Sequence, residues 1–311
     1  MSGRYRHLFW RLGAGALVLW GTVTLIFLAI NLTPGDPAIT LLGGPDALPT
    51  PAILHQVRAE YGFDQPLHVQ YVHYLGRLLR GNLGISYRLH QPVAVLIAGQ
   101  IGATAMLAVS AMAVGVVLAL VVALATAKRA PWLTSLFAGI EVTLSSVPSF
   151  ITGLILLLGF SFNLHLFPSS STRGWTANIL PTITLALPIA AVLAQVLRRE
   201  LEDILEQPFI LTARTRGLSE AGVRLGHALR HALVPALTIA GIMFAGLLSS
   251  AVVVETVFNR QGLGRMMADA TTNRDVPLVL GIALLATAIN ILVNIAIDLI
   301  NAVIDPRTER S

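Results

Sequence analysis

The chain contains no cysteine and a single lysine, Lys128, and charged residues make up only 12% of its 311 positions. Without cysteine there are no disulfides and no thiolate chemistry. A charged fraction of 12% is about half of that in an ordinary soluble domain, roughly 25%. A phosphate-binding loop needs a lysine behind a glycine-rich turn, so that backbone N–H groups and an ammonium meet the phosphates. Lys128 follows Ala127 and has no such turn before it, so this chain carries no ATP site of its own. No nucleophile–base constellation stands out, and no catalytic, cofactor or metal residues are assigned. What is abundant is apolar: 55% of residues are hydrophobic and the mean hydropathy is +0.73, the composition of an integral membrane protein. The net charge of +5 fits basic loops at a membrane surface rather than nucleic-acid binding.

A membrane span needs about 20 apolar residues. Six runs qualify, at about 12–32, 101–127, 133–160, 179–197, 235–257 and 278–303. The first is too long for a signal peptide and lacks a small-residue cleavage site. Arg4, Arg6 and Arg11 precede it, which places the N-terminus in the cytoplasm. With six spans the C-terminus is cytoplasmic too. The inside segments then hold 13 of the 21 Lys and Arg residues, as a cytoplasmic excess of basic residues requires. Residues 33–98 are predicted outside, with helices over 51–61 and 67–79; residues 258–277 form a further outer loop. His55, His68, His73 and His90 read as polar surface of that first segment rather than metal ligands. Residues 1–311 show no repeat or soluble linker, so one membrane domain is expected. Within the third run, Pro148 breaks a backbone hydrogen bond that neighbouring hydroxyls, Ser149 among them, can compensate. Three acids lie in or near spans, Glu141, Glu255 and Asp298, and an ionisable group at bilayer depth is a functional candidate. Glu255 is expected to face the pathway or to pair with Arg260 or Arg265. Asp298 is expected in a structural ion pair or helix-end hydrogen bond, and Glu141 near the pathway or the inner interface.

The longest polar interval between apolar runs is LTARTRGLSEAGVRLGHALRHALVP, residues 211–235. Gly217 is predicted to turn the chain between two short helices, because glycine is costly inside a helix and free at a turn. A solvated helix pair without a partner would carry the same charges. His227 and His231 have the spacing of a helical metal pair, but a zincin helix needs Glu after the first His and this chain has Ala228 there.

The same stretch resembles the cytoplasmic coupling loop of binding-protein-dependent ABC importer permeases, and most closely that of the dipeptide, oligopeptide and nickel branch. Ala213 matches the last alanine of the motif's opening triplet and Gly217 the glycine four residues later; Leu211 and Thr212 replace its Glu and Ala. VPSF (147–150), VVET (253–256), GLGR (262–265) and DPR (305–307) match further landmarks, so the resemblance covers essentially the whole chain. It implies an all-α membrane fold of six transmembrane helices, the type I permease fold, with a helical extracytoplasmic insertion over 33–98. It implies a coupling loop over 198–233 in which Ala213, Arg214, Arg216, Gly217 and Leu218 engage an ATPase, and Glu255, Pro148 and Ser149 as pathway candidates. The implied partners are a second homologous permease, two ATPase subunits that hold ATP and magnesium, a solute-binding protein and the lipid bilayer of a bacterial inner membrane. The implied cargo is a di- or oligopeptide, with nickel or a metal chelate as the alternative within the family. The alternative from another class is an ion-driven secondary transporter, which would need charge relays within the membrane and typically repeats or broken helices.

Overall fold

In the computed structural model the described residues are 2–32, 36–42, 49–169 and 175–304, with side chains described from 13 to 297 other than those of Ile30, Leu32, Pro37, Thr40 and Tyr61. Among them the chain is helical apart from loops and one isolated bridge, Ile85 with Pro92. The side chain of Asp298 lies outside the described residues, as do residues 33–35, 170–174 and 305–311. Two compact units divide the chain, one formed by 1–102 with 265–291, the other by 103–264 with 292–311.

The first unit begins with α1 (Ser2–Leu32) and continues through α2 (Pro37–Leu41), α3 (Pro51–Tyr61) and α4 (Leu67–Leu79). The two helices predicted over 51–61 and 67–79 are these last two, to the residue. Proline at the first position starts α3, and Gly62 at φ +72 ends it in the left-handed conformation that glycine adopts without strain. Asp36 pairs with Arg58 and accepts the Ala38 N–H at 2.9 Å, which fastens α3 to the chain leaving α1. Burial works to raise the Asp36 carboxyl, but Arg58 and the Ala38 amide outweigh it and hold it below the usual carboxylate range. Asp275, buried, accepts from the Ser86 hydroxyl and from the Tyr87 N–H at 3.1 Å and the Arg88 N–H at 3.4 Å. The loop over 86–90 is thereby tied to the residue before α13 (Val276–Ile304).

The second unit is organised on α8 (Ile179–Leu205), which packs against α6 (Pro131–Ser146), α7 (Ser149–Leu156) and α11 (Leu229–Val257). In the apolar window of α8 61% of residues are buried. In the windows of α5 (Val93–Thr126), α11 and α13 no more than 33% are. The remaining flanks of those three are apolar and uncovered by this chain, which suits lipid or another subunit. Among the described residues four helices are long and apolar enough to span a bilayer, and α6 with α7 and its π-helical extension (Leu157–Asn163) makes a fifth, bent pair. The run expected as the first span lies on α1, whose described apolar stretch, Gly13–Ala29, is shorter than these spans.

The third span, expected over 133–160 with a backbone hydrogen bond broken at Pro148, is interrupted more sharply than one lost bond requires. The chain bends by 105° between α6 and α7. Pro148 supplies no N–H, and its ring pushes Val147 out of the helical region to φ −77, ψ 125, so α6 ends there and α7 starts afresh. The fourth helix is also longer than expected. It runs past Arg198 to Leu205, and Leu201 and Leu205 remain buried.

Arg198, which reads in sequence as a basic residue leaving the membrane, is instead buried. It donates from Nη1 and Nη2 to the two carboxylate oxygens of Glu141, at 2.7 and 2.6 Å, across the α6–α8 contact. Both side chains are nearly inaccessible, 10% and 4% exposed. Removing one partner of such a pair leaves an uncompensated charge and costs about 3–5 kcal/mol, whereas replacing both with apolar groups of similar volume is close to neutral. Arg198→Met is therefore expected to lower the thermal midpoint of the purified protein markedly, and Glu141→Leu added to it to recover most of the loss.

Candidate functional site

The polar interval between α8 and α11 folds as α9 (Pro208–Thr215), a turn at Gly217, the single turn α10 (Glu220–Gly222) and a π-helical turn, Val223–Ala228, that runs into α11. Pro208 starts α9, and Ile210 and Ala213, three residues apart, turn its apolar side to the core. The Arg216 N–H closes the helix on the Thr212 carbonyl at 3.2 Å and the Gly217 N–H returns to Arg214 at 2.9 Å. Gly217 stands at φ +83, a region that strains any side chain. A Cβ placed on it would meet nothing within 4 Å. The Ser219 hydroxyl accepts the Gly222 N–H at 3.2 Å and caps α10.

The five coupling-loop residues thus lie on one short piece of chain, with different surroundings. Ala213 is buried and acts in packing. Arg214 donates from Nε to Glu220 at 2.8 Å, so part of its charge is met within the loop. Arg216 and Leu218 are exposed, as are Leu211 and Leu225. Exposed leucines beside an open glycine and an arginine form a surface suited to another protein rather than to water alone.

Arg224 supplies the attachment of this loop to the rest of the unit. Its guanidinium donates to the carbonyls of Ala127 at 2.8 Å and Leu124 at 3.3 Å. Leu124 is in the last turn of α5 and Ala127 is the residue after it, where carbonyls lack helical partners and the helix dipole favours a cation. Lys128 adds an ion pair to Glu206 just beyond α8. That bond and the ammonium charge hold the Glu206 carboxyl below its usual range. In sequence Arg224 is one basic residue among several; the carbonyls it caps lie about a hundred positions earlier.

A second polar cluster lies at the far end of α11. Glu255 is fully buried. It accepts from the Thr104 hydroxyl at 2.7 Å, from Arg260 Nη1 at 3.3 Å and from the Gly264 N–H at 2.8 Å. Arg260 donates also to the Ala103 carbonyl at 2.7 Å and to Asn178 Oδ1 at 2.9 Å, and Thr104 accepts the Leu263 N–H at 2.8 Å. Of the two partners considered for Glu255, Arg260 donates to it. Thr104 and Asn178 were not singled out by sequence reasoning; the signal available for Thr104 was a hydroxyl inside an otherwise apolar run. The turn over 262–264 closes directly on the carboxylate. A Cβ on Gly262 would fall 2.1 Å from Glu255 Oε1, and one on Gly264 would fall 2.4 Å from the Val252 Cα. Pro148 is exposed at the bend after α6, and Ser149 is half-buried beside it. His231 packs its ring edge against Phe209, with centroids 5.5 Å apart. Among the described residues no three His, Cys, Asp or Glu side chains are grouped to hold a metal ion.

Apolar helices of spanning length, joined by a polar loop that leaves several leucines exposed, define an integral membrane protein. Comparison with known proteins identifies it further. The model of the binding-protein-dependent transport system inner membrane component matches residues 115–310, and that of the N-terminal part of such membrane components matches residues 4–108. The glutathione transport system permease protein GsiC of Salmonella typhimurium is 38% identical over 283 residues, 91% of this chain and 92% of its own. Its Escherichia coli K12 counterpart is 36% identical over the same share. Among solved structures, the crystal structure of an amino acid ABC transporter with histidines superposes with a TM-score of 0.53 at 19% identity, over 67% of this chain and 94% of that one. The chain belongs to the family of inner-membrane components of binding-protein-dependent transport systems, the permeases of ABC importers. It is an integral, multi-pass transport subunit and not the ATPase, and the ion-driven alternative falls away.

The buried Glu255 cluster generates a stability test. Glu255→Ala leaves Arg260 buried without its carboxylate, at a cost of about 3–5 kcal/mol. Gly262→Ala forces a methyl group into the carboxylate and is expected to lower the thermal midpoint as well. Because both act on one contact, the double variant is expected to fall well short of the sum of the two losses. Additive losses in thermal unfolding would show that the turn over 262–264 is not held by Glu255.

Proposed function

We propose that this chain, as one permease domain paired with a second homologous permease, forms the membrane pathway of an ATP-driven importer of small peptides, di- and oligopeptides included. A solute-binding protein delivers the cargo. Two ATPase subunits hold ATP and magnesium, and one of them docks on the loop from Gln207 to Ala228. The observation that carries this reading is that loop: Gly217 at positive φ with open space above it, exposed Leu218 and Arg216 beside it, and Arg224 fixing the loop to the end of α5. The glutathione transport named for the relatives supports a peptide cargo, since glutathione is a tripeptide.

The distribution of arginine supports placing both termini and residues 198–233 on the cytoplasmic side and residues 33–98 and 258–276 outside. With that orientation Pro148 and Ser149 line the pathway at the bend of the third span. Glu255 serves the outer end by holding the turn over 262–264 in place.

The docking role separates from folding through two substitutions at one position. Gly217→Ala and Gly217→Leu carry the same backbone strain, about 1–3 kcal/mol for a side chain in the left-handed region. Neither meets an atom of this chain at Cβ, and equal thermal midpoints of the two variants, measured without the ATPase, assign any difference in docking to the partner's surface. Gly217→Leu is expected to lose ATPase co-purification and uptake of labelled tripeptide, while Gly217→Ala keeps most of both. Equal, near-normal docking by the two variants would rule out ATPase contact at this turn.

A further inference from the structure

We infer that α4 lies in the lipid–water interface and anchors the insertion after α1 to the bilayer, with Val72, Leu75 and Leu79 seated at the headgroup–acyl boundary. None of the α4 side chains is buried by this chain, yet the helix is strongly two-sided. At about 100° per residue, Val72, Leu75 and Leu79 share one face, and Gln70, His73 and Arg77 lie opposite. His68, in the first turn, is the one polar residue on the apolar arc. Val72 is 64% exposed and Leu79 89%, which is costly for a helix surrounded by water.

The depth of α4 is fixed by its contact with α1. Tyr71 and Tyr74, on the edge between the two faces, reach that helix. The Tyr71 hydroxyl is 2.6 Å from Thr24 Oγ1. The Phe27 ring lies 5.2 Å from that of Tyr71 and 6.0 Å, stacked, from that of Tyr74. Thr24 and Phe27 both belong to the apolar stretch Gly13–Ala29. Phe27 precedes the end of α1 at Leu32 by five residues, about 7.5 Å of helical rise. Amphipathic helices at a membrane surface bury their apolar face about 5–10 Å into the headgroup–acyl boundary, with basic residues on the polar side. The contact with Phe27 puts α4 at that level. Tyrosine also suits it, with an apolar ring and a polar hydroxyl. His73 and Arg77, both exposed, then face headgroup phosphates. The insertion is thereby held at two places, by lipid at α4 and by Asp275 at the loop over 86–90. The inference needs only that α1 lies in the membrane; it depends on neither cargo nor ATPase docking.

The cysteine-free chain permits a direct test in the assembled transporter in lipid nanodiscs. V72C, L79C and R77C are each labelled with an environment-sensitive fluorophore, and the nanodisc lipids carry a nitroxide high on the acyl chain. The labels at 72 and 79 are expected to show blue-shifted emission and loss of fluorescence to the nitroxide lipid, and the label at 77 little of either. A water-like spectrum at 72 and 79 would overturn the proposal. So would a blue-shifted spectrum that the lipid nitroxide leaves intact, which would mean that protein, such as the second permease, covers this face.

Discussion

The contact on which the structure's working parts depend is that of Arg224 with the carbonyls of Leu124 and Ala127. The last carbonyls of a helix have no partner within it, and in a membrane protein each needs one near the surface. Supplying that partner from the loop between α8 and α11 makes the end of α5 and the loop one mechanical piece. Lys128 with Glu206 closes the same junction on α8. The loop is thus fixed to the end of α5 by Arg224 and meets the end of α8 through the Lys128–Glu206 pair.

Charge is scarce in this chain, and the described part of the second unit satisfies its buried charge locally. Glu141 and Arg198 neutralise each other in a bidentate pair between α6 and α8, below the bend at Pro148. Glu255 and Arg260 do so at the other end of α11, with Thr104, Asn178 and the backbone over 262–264 completing the shell. Each cluster holds helices that are distant in sequence, and each would be expensive to break in a medium of low dielectric. Between them, α8 and its neighbours pack through Leu and Ala, with Gly153 of α7 lying close to Phe258.

Much of this was legible in the residues. The apolar runs, the two helices of the insertion and the turn at Gly217 follow from periodicity, proline and glycine, which act locally. The partners of the buried charges did not follow, because Glu141 and Arg198 are 57 positions apart and Thr104 and Glu255 are 151. A count of basic residues treats Arg198 as the end of a span, although its guanidinium is buried and α8 continues to Leu205. Pro148 signalled a break, but its size, 105°, depends on what α6 and α7 pack against. The π-helical turn over 223–228 has no residue signature of its own; it lets Val223 and Ala228 both face the core while Arg224 reaches α5.

The central claim is that the loop between α8 and α11 is where a separate ATPase docks. Leu218 is 42% exposed and follows the open turn at Gly217. A photo-reactive amino acid at position 218 in the complete transporter, irradiated in membranes, tests this most directly. The account predicts a covalent adduct with the ATPase subunit, formed in the assembled complex and reduced when the ATPase carries a disrupted permease-binding groove. An adduct only with the second permease or with lipid, in a complex that transports normally, would contradict it.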